Sequence, residues 1–409
     1  MHLYDIPMIF VLIGLALYVV LAGADFGAGI WQLLAGTGPQ ATRLRDHAHD
    51  SMSAVWEANH VWLIFVLTVT WTAYPVAFGS LASTLSVPLF IAALGIIFRG
   101  AAYALRSGVR SRRELRTIDL VFSISSIITP FALGTMVGAI ATRRVPVGNA
   151  RGGLWSSWTG STSILIGVVA VTVAAYLAAV YLAADAARQG ERALESMFRT
   201  RALIAGVLSG ALALAGLVVV HADAHPLYHG LISGDGRSAV IISVLAGAGT
   251  LALVWYRRFA LARYCAALAV AAIIAGWALA QQPLLLPHLT ISQAAGGHDT
   301  LVAVIVAVVA GGLILFPSLA LLFRLVLSGT LDPSQGAPAM PPSASELLAA
   351  SGANIAARVA AAAFIGALGF LTAADAAWAH TVGLCCLLVF ALAAFVAVRP
   401  IEMAREADP

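Results

Sequence analysis

The chain of 409 residues is 61% hydrophobic and only 10% charged, whereas soluble globular domains carry about 25% charged residues. An ordinary soluble protein is therefore excluded, and a membrane protein is predicted. All 23 basic residues are arginine, and the net charge is only +4. Because the arginines lie in short loops between apolar runs and not on one basic face, nucleic-acid binding is excluded as a main role. The three cysteines form neither a CxxC pair nor a CxxCH haem-attachment motif.

Eleven apolar segments are long enough to cross a bilayer, which requires about 20 helical residues. The first one continues through Trp31 and is preceded by no Lys or Arg, so we interpret it as a helix and not as a cleaved signal peptide. The sequence therefore predicts an all-α, polytopic membrane helix bundle with about nine core helices and two extra C-terminal helices. The predicted spans are 6–33, 54–76, 79–104, 118–141, 160–184, 202–221, 238–255, 261–281, 300–325, 354–373 and 378–398.

The segmentation also predicts a domain organisation. Residues 1–327 are expected to form one transmembrane domain, followed by a linker at 328–352 that is rich in Pro, Ser and Gly. Residues 353–399 are expected to form an additional transmembrane hairpin with a short turn near Asp375, for which a re-entrant hairpin is the alternative. Residues 400–409 would form a short tail.

The distribution of arginine predicts the orientation of the chain. Under the positive-inside rule, arginines accumulate in the cytoplasmic loops of a membrane protein. Eighteen of the 23 arginines fall on one side of the predicted membrane and four on the other, while Arg99 lies within an apolar segment. The N-terminus is therefore expected outside, and the C-terminus in the cytoplasm.

Ionisable residues within the predicted spans are functional candidates, because burying one costs about 2.5–3.5 kcal/mol on insertion scales. They cluster in the first three spans as Asp25, Glu57, His60 and Arg99, with the polar Asn59 beside them. One interpretation is structural, with Arg99 paired to one of the acids so that the two helices are held together. The other is proton handling by a carboxylate at a cytoplasmic entrance. Both interpretations can hold at once.

Five short motifs occur in order along the first 327 residues. Together they resemble subunit II of the cytochrome bd-type quinol oxidases, whose helix 1 carries D-[FL]-G-x-G and whose helix 2 carries W-[DE]-x-N-x-V-W-L. The matching stretches are Asp25-Phe26-Gly27-Ala28-Gly29, Trp56-Glu57-Ala58-Asn59-His60-Val61-Trp62-Leu63, Phe98-Arg99 with Arg106, Pro130 with Gly134 and Gly138, and Leu289-Thr290-Ile291 with Thr300-Leu301.

The resemblance implies a haem-free subunit of a quinol-oxidising, oxygen-reducing complex in the bacterial cytoplasmic (inner) membrane. Haems b and d would lie in the partner, subunit I, which this chain would stabilise. Quinol and oxygen would be the substrates of the complex. The resemblance leaves open a structural quinone and small single-helix subunits. It also implies that Glu57 carries protons from the cytoplasm, with Asp25 and Asn59 as neighbours and Arg99 as a charge partner.

The chain departs from the family pattern at several positions. Family members usually carry an acid where this chain has Ala22 and another where it has Ala104, so part of the usual charge network is missing. The position of His60 is commonly Gln or Glu in the family. The two helices predicted after residue 353 have no counterpart in its nine-helix pattern. The chain is therefore interpreted as a divergent member.

Some of the histidines are candidate cofactor ligands. His47 and His49 are predicted to lie in a loop, and no pair has the spacing of a transmembrane haem sandwich. His221, His225 and His229 could bind zinc or copper if one helix continued through them. Because Pro226 interrupts such a helix, a solvated outer loop is the preferred interpretation.

Two other functional classes are compatible with many apolar helices. A proton-coupled secondary transporter would also carry intramembrane Asp, Glu and Arg, although the sequence shows no clear pair of internal repeats. A purely structural membrane scaffold would differ from the oxidase subunit in whether Glu57 carries protons.

Overall fold

The computed structural model describes residues 2–53, 56–106, 109, 111–327, 358–360, 362–367 and 377–398. In this part of the chain, eight helices are long and apolar enough to cross a membrane, so the predicted polytopic helix bundle is confirmed. After a 3₁₀ turn at Leu3–Asp5, the elements are α1 (Ile6–Leu33), α2 (Pro39–Ser53), α3 (Trp56–Ala73), α4 (Pro75–Thr84), α5 (Ser86–Arg106), α6 (Arg112–Ala141), α7 (Ser161–Arg188), α8 (Arg192–Asp223), α9 (His225–Ile232), α10 (Arg237–Trp255), α11 (Phe259–Gln281), β1 (Leu284–Leu286), β2 (Leu289–Thr290), α12 (Ile291–Ala294), α13 (His298–Leu327) and α14 (Ala377–Val398).

The main difference from the predicted spans lies between α3 and α5. The predicted third span, 79–104, begins inside the short helix α4, and the chain leaves helical geometry at Tyr74 before it and at Leu85 after it. Pro75 can open α4 because the first turn of a helix needs no backbone donor. The Ala73 carbonyl instead accepts a hydrogen bond from the Gly296 amide at 2.8 Å, and the Tyr74 hydroxyl donates to the Tyr4 carbonyl at 2.6 Å.

A second difference is α2, which the sequence predicted as a loop around His47 and His49. The segment is helical because Ala41, Leu44 and Ala48 recur at helical spacing and are buried. His47 lies on the same buried side, with its Nε2 atom 3.3 Å from the Leu182 carbonyl oxygen of α7.

The first compact unit, Met1–Leu315, is centred on α1 and α7. Every residue from Ala22 to Gln32 of α1 is buried, as is every residue from Ala174 to Val180 of α7. The two helices approach closely because Gly27 has no side chain, and a Cβ atom at this position would overlap the Ala174 carbonyl group. The C-terminal half of α1 is therefore fixed within the bundle.

Two ion pairs near helix ends connect distant parts of this unit. Arg144 donates to Asp223 at the end of α8 at 2.9 Å, and the same carboxylate accepts a hydrogen bond from the Thr162 hydroxyl at 2.7 Å. Arg43 of α2 pairs with Glu191 at 2.6 Å, and both side chains are largely exposed. These two pairs differ strongly in how far water reaches them.

The second compact unit is Phe316–Pro409. The helical residues 362–367 contact α14, with the Phe364 and Phe390 ring centroids 5.1 Å apart. The predicted C-terminal hairpin at 353–399 lies partly outside the described residues and stays a prediction. The predicted linker (328–352) and tail (400–409) lie outside the described residues, and the domain boundary at 327 stays a prediction.

Candidate functional site

The structure pairs Arg99 with Asp25 across α5 and α1. Arg99 Nη2 donates to Asp25 Oδ1 at 2.5 Å and to the Asp25 main-chain carbonyl oxygen at 3.0 Å. Both side chains are almost completely buried, with 2% and 1% of their surface exposed. Of the two acids that the sequence left open as partners of Arg99, the structure places Asp25 in contact.

The pair is held by groups on three helices. Arg99 also donates to the Ser126 hydroxyl of α6, and that hydroxyl donates to the Phe122 carbonyl oxygen at 2.7 Å. The guanidinium carbon lies 5.1 Å from the Phe26 ring centroid and 4.2 Å from that of Phe122. Arginine stacked on aromatic rings keeps favourable electrostatic contacts after losing water.

Gly29 makes room for this arrangement. Its position on α1 faces Ser126, and a Cβ atom at residue 29 would overlap the Ser126 side chain. The glycine therefore allows α6 to approach α1 closely enough for Arg99 to reach both helices. The spacing of the D-F-G-A-G motif is explained by this contact and by the one at Gly27.

The third helix brings further predicted residues to the same region. Asn59 is 5% exposed, and its Nδ2 donates to the Leu21 carbonyl oxygen of α1 at 3.4 Å. His60 contacts Tyr18 and Phe26 of α1 through its ring. Glu57 belongs to the same helix, but its side chain lies outside the described residues, so its role stays a prediction.

Two buried polar atoms of the ion pair have no hydrogen-bond partner within the described part of the chain. They are Asp25 Oδ2 and Arg99 Nε, and the Tyr18 hydroxyl nearby shares this property. Buried polar groups of this kind in proteins are commonly satisfied by ordered water. Chemically, the site combines a fixed charge pair with spare capacity for a proton or a small polar molecule.

A polar cavity of about 340 Å³ lies further along α5, and sequence reasoning missed it. Arg106 follows Arg99 by seven residues, so the two positions share one side of the helix. Its guanidinium group lies 3.6 Å from the Asp46 carboxylate and 3.1 Å from that of Asp119. Ala104, where family members usually carry an acid, borders the cavity. The lining residues are His49, Tyr103, Ala104 and Arg106.

The predicted outer loop at 221–229 is wrong, because these residues are helical. His221 belongs to the last turn of α8, and the chain breaks at Ala224 before His225 opens α9. The prediction that no single continuous helix runs through His221, His225 and His229 is confirmed, although the break lies at Ala224 and Pro226 is within the first turn of α9. The ring centroids of His221 and His225 are 5.3 Å apart. Within the described ranges, no group of three or more His, Cys, Asp or Glu side chains could hold a metal ion.

Comparison with curated proteins shows similarity to oxidase subunits of Bacillus subtilis (strain 168). The chain is 28% identical over 141 residues to its cytochrome bd ubiquinol oxidase subunit 2, covering 33% of this chain and 39% of that protein. It is 24% identical over 229 residues to its putative cytochrome bd menaquinol oxidase subunit II, covering 53% and 62%. The matched stretches thus span less than two thirds of either relative.

A solved structure and a family model extend the comparison over most of the chain. The bd oxidase from Geobacillus thermodenitrificans matches with a TM-score of 0.63 and 26% sequence identity, over 80% of this chain and 99% of that chain. The family model described as cytochrome bd terminal oxidase subunit II matches residues 3–326. The chain therefore belongs to the cytochrome bd terminal oxidase subunit II family.

Proposed function

We propose that this chain is the haem-free subunit II of a cytochrome bd-type terminal quinol oxidase in the bacterial inner membrane. In this role it stabilises subunit I, which carries haems b and d, and contributes a cytoplasmic proton path for the reduction of oxygen to water. Family membership supports the oxidase role over a secondary transporter. Quinol and oxygen are then substrates of the whole complex.

The observation that carries the proton-path part is the buried Asp25–Arg99 pair. A charged pair in a membrane helix bundle costs free energy to desolvate, and such residues in membrane proteins typically serve ion or proton pathways. Arg99 holds one oxygen of the Asp25 carboxylate and leaves the second without a partner in the described residues. That oxygen is available to a proton or to a water molecule that carries one.

The proposed path begins at Glu57 near the inner end of α3. The Glu57 carboxylate takes up a proton from the cytoplasmic side and becomes a neutral carboxylic acid. It then passes that proton on and returns to the carboxylate. Asn59 lies next to the proposed path, because its side chain donates a hydrogen bond to the Leu21 carbonyl oxygen, one turn before Asp25 on α1. Arg99 orients Asp25 through two hydrogen bonds, so it acts as a positioning residue. The haems supply the redox chemistry in subunit I.

Glu57→Gln in the tagged, copurified complex tests the path. The substitution retains size and hydrogen bonding but removes the titratable proton, so we expect oxygen consumption per haem to fall by about 100-fold or more. Haem optical bands and the presence of subunit I establish that the complex has assembled. If no haem-bearing partner copurifies with the parental chain, the oxidase role itself is wrong.

Two further variants separate proton transfer from a structural role of Glu57. Glu57→Asp should retain partial activity because it keeps a carboxylic acid. Under a purely structural role, Glu57→Gln would turn over at the parental rate, while Glu57→Leu would lose the assembled complex. A parental rate for Glu57→Gln between about pH 6 and 8 therefore rejects Glu57 as an obligatory proton carrier.

A further inference from the structure

His60 is a titratable side chain at a position where the family commonly has Gln or Glu. Its ring centroid lies 6.1 Å from that of Tyr18 and 5.8 Å from that of Phe26, and the rings meet at 73° and 85°. The imidazole is half-buried. It therefore contacts, at steep ring angles, two aromatic side chains that lie eight residues apart on α1.

The contact with Phe26 brings His60 close to the ion pair. The Phe26 ring also contacts the Arg99 guanidinium, whose carbon atom lies 5.1 Å from the ring centroid, and Arg99 is hydrogen-bonded to Asp25. From α1, the titratable groups facing His60 are Tyr18 and Asp25. From α5, the charged group is Arg99.

The remaining neighbours lie on other elements. On α6, the neutral Ser126 hydroxyl accepts a hydrogen bond from Arg99 and so belongs to the ion-pair site. Within α3, Glu57 is three residues earlier and Asn59 is adjacent, and positions three apart are neighbours on a helix surface. His60 thus lies one turn after the proposed entrance residue, Glu57, on α3. It also contacts the Phe26 ring beside the buried pair.

His60 adds an ionisable side chain to a region in which the Asp25–Arg99 ion pair carries no net charge. Asp25 and Arg99 neutralise each other, so the pair by itself offers little net attraction for a proton. The second Asp25 oxygen has no partner among the described residues, so it is an unused hydrogen-bond acceptor at the ion pair. Histidine is the residue type whose charge changes in the physiological pH range, whereas a family Gln cannot change charge at all.

We propose that His60 is a proton-carrying residue of this membrane-embedded site. It takes up one proton on one ring nitrogen to become imidazolium, and it releases the proton of the other nitrogen to the next acceptor, which restores the neutral ring. No electron is transferred in this step. The proposal rests on the proposed function, since it assigns a further residue to the same proton path.

The test compares two substitutions in the haem-containing complex, with oxygen consumption per haem measured from about pH 5.5 to 8.5. His60→Gln keeps a polar group without a titratable ring, and His60→Phe keeps the ring without a titratable nitrogen. We expect both variants to turn over about tenfold more slowly than the parent. We also expect the parental rate to change with pH across this range, and both variants to lose that change.

A packing role predicts a different pattern, because the aromatic contacts with Tyr18 and Phe26 survive in His60→Phe. If His60→Phe has the parental rate and pH profile, the proposal is overturned. If His60→Phe does not assemble with haem, the pH profile of His60→Gln decides, and an unchanged shape rejects the proposal. His298→Gln, at a side chain that is 77% exposed, is the control for loss of a histidine outside the site.

Glu57→Gln measured in parallel keeps the two proposals apart. If Glu57→Gln is slow while both His60 variants are parental, the proton path stands and His60 is not part of it. If Glu57→Gln is parental while the His60 variants lose the pH-dependent step, the path enters at His60 without Glu57.

Discussion

Two arginine–aspartate pairs in this protein use the same chemistry in different surroundings. The inner pair, Asp25–Arg99, leaves 1% and 2% of its side chains exposed. The outer pair, Asp223–Arg144, leaves 20% and 35% exposed. Water screens the outer pair and solvates either partner when the other is removed, but it does neither for the inner pair.

The difference shows that an ion pair contributes according to its surroundings. Removing one member of a buried pair leaves an uncompensated charge and costs about 3–5 kcal/mol, although replacing both members can be nearly neutral. An exposed pair is typically worth about 0.2–1 kcal/mol and weakens in salt. The inner pair should therefore control assembly, and the outer pair should only adjust stability.

The largest effect is expected from breaking the inner pair. Arg99→Met and Asp25→Leu should each destabilise the bundle by about 3–5 kcal/mol, measured as loss of haem-containing complex after purification and by thermal unfolding. The double variant Asp25→Leu/Arg99→Met should recover most of the yield, because no buried charge is left alone. Ser126→Ala, which removes a neutral partner of Arg99, is the milder control. A double variant as poor as the sum of both singles would contradict this account.

A smaller effect is expected at the outer pair. Arg144→Gln should lower the free energy of unfolding by about 1 kcal/mol, and the Thr162 hydroxyl still donates to the Asp223 carboxylate in that variant. Repeating the thermal unfolding at high salt should reduce the difference between variant and parent, since the pair is partly solvated. A loss as large as that of Arg99→Met would show that exposure does not rank these pairs.

The smallest effect is expected at Arg43–Glu191, whose side chains are 58% and 43% exposed. Glu191→Gln should change the free energy of unfolding by no more than about 0.5 kcal/mol, although its donor–acceptor distance is only 2.6 Å. Thermal unfolding beside Arg144→Gln provides the comparison. A larger loss than at Arg144 would reverse the proposed order.

Features set by local hydrophobicity could be read from the sequence. The predicted span 6–33 coincides with α1, and 238–255 differs from α10 by one residue, because the length of an apolar run is a local property. The break between α3 and α5 could not be predicted in this way. It depends on Pro75 and on a hydrogen-bond donor, Gly296, that lies more than 200 residues later in the chain.

The candidate site was predictable in composition but not in pairing. Sequence identified Asp25, Glu57, Asn59 and Arg99 because ionisable and polar residues stand out in apolar segments. The sequence could not show which acid pairs with Arg99. The pairing depends on the close approach of helices, which the missing side chain at Gly29 allows. His60 was noticed as a departure from the family, but its contacts with α1 required the fold.

The hydrogen bonds at the α3–α4 break constrain how the site can move. The Ala73 carbonyl is held by Gly296, and the next residue, Tyr74, is held through its hydroxyl by Tyr4. Sliding α3 along its axis would break both bonds in a region with little water to replace them. We therefore expect the proposed proton route at Glu57 and His60 to open and close by side-chain rotation, without movement of α3 along its axis.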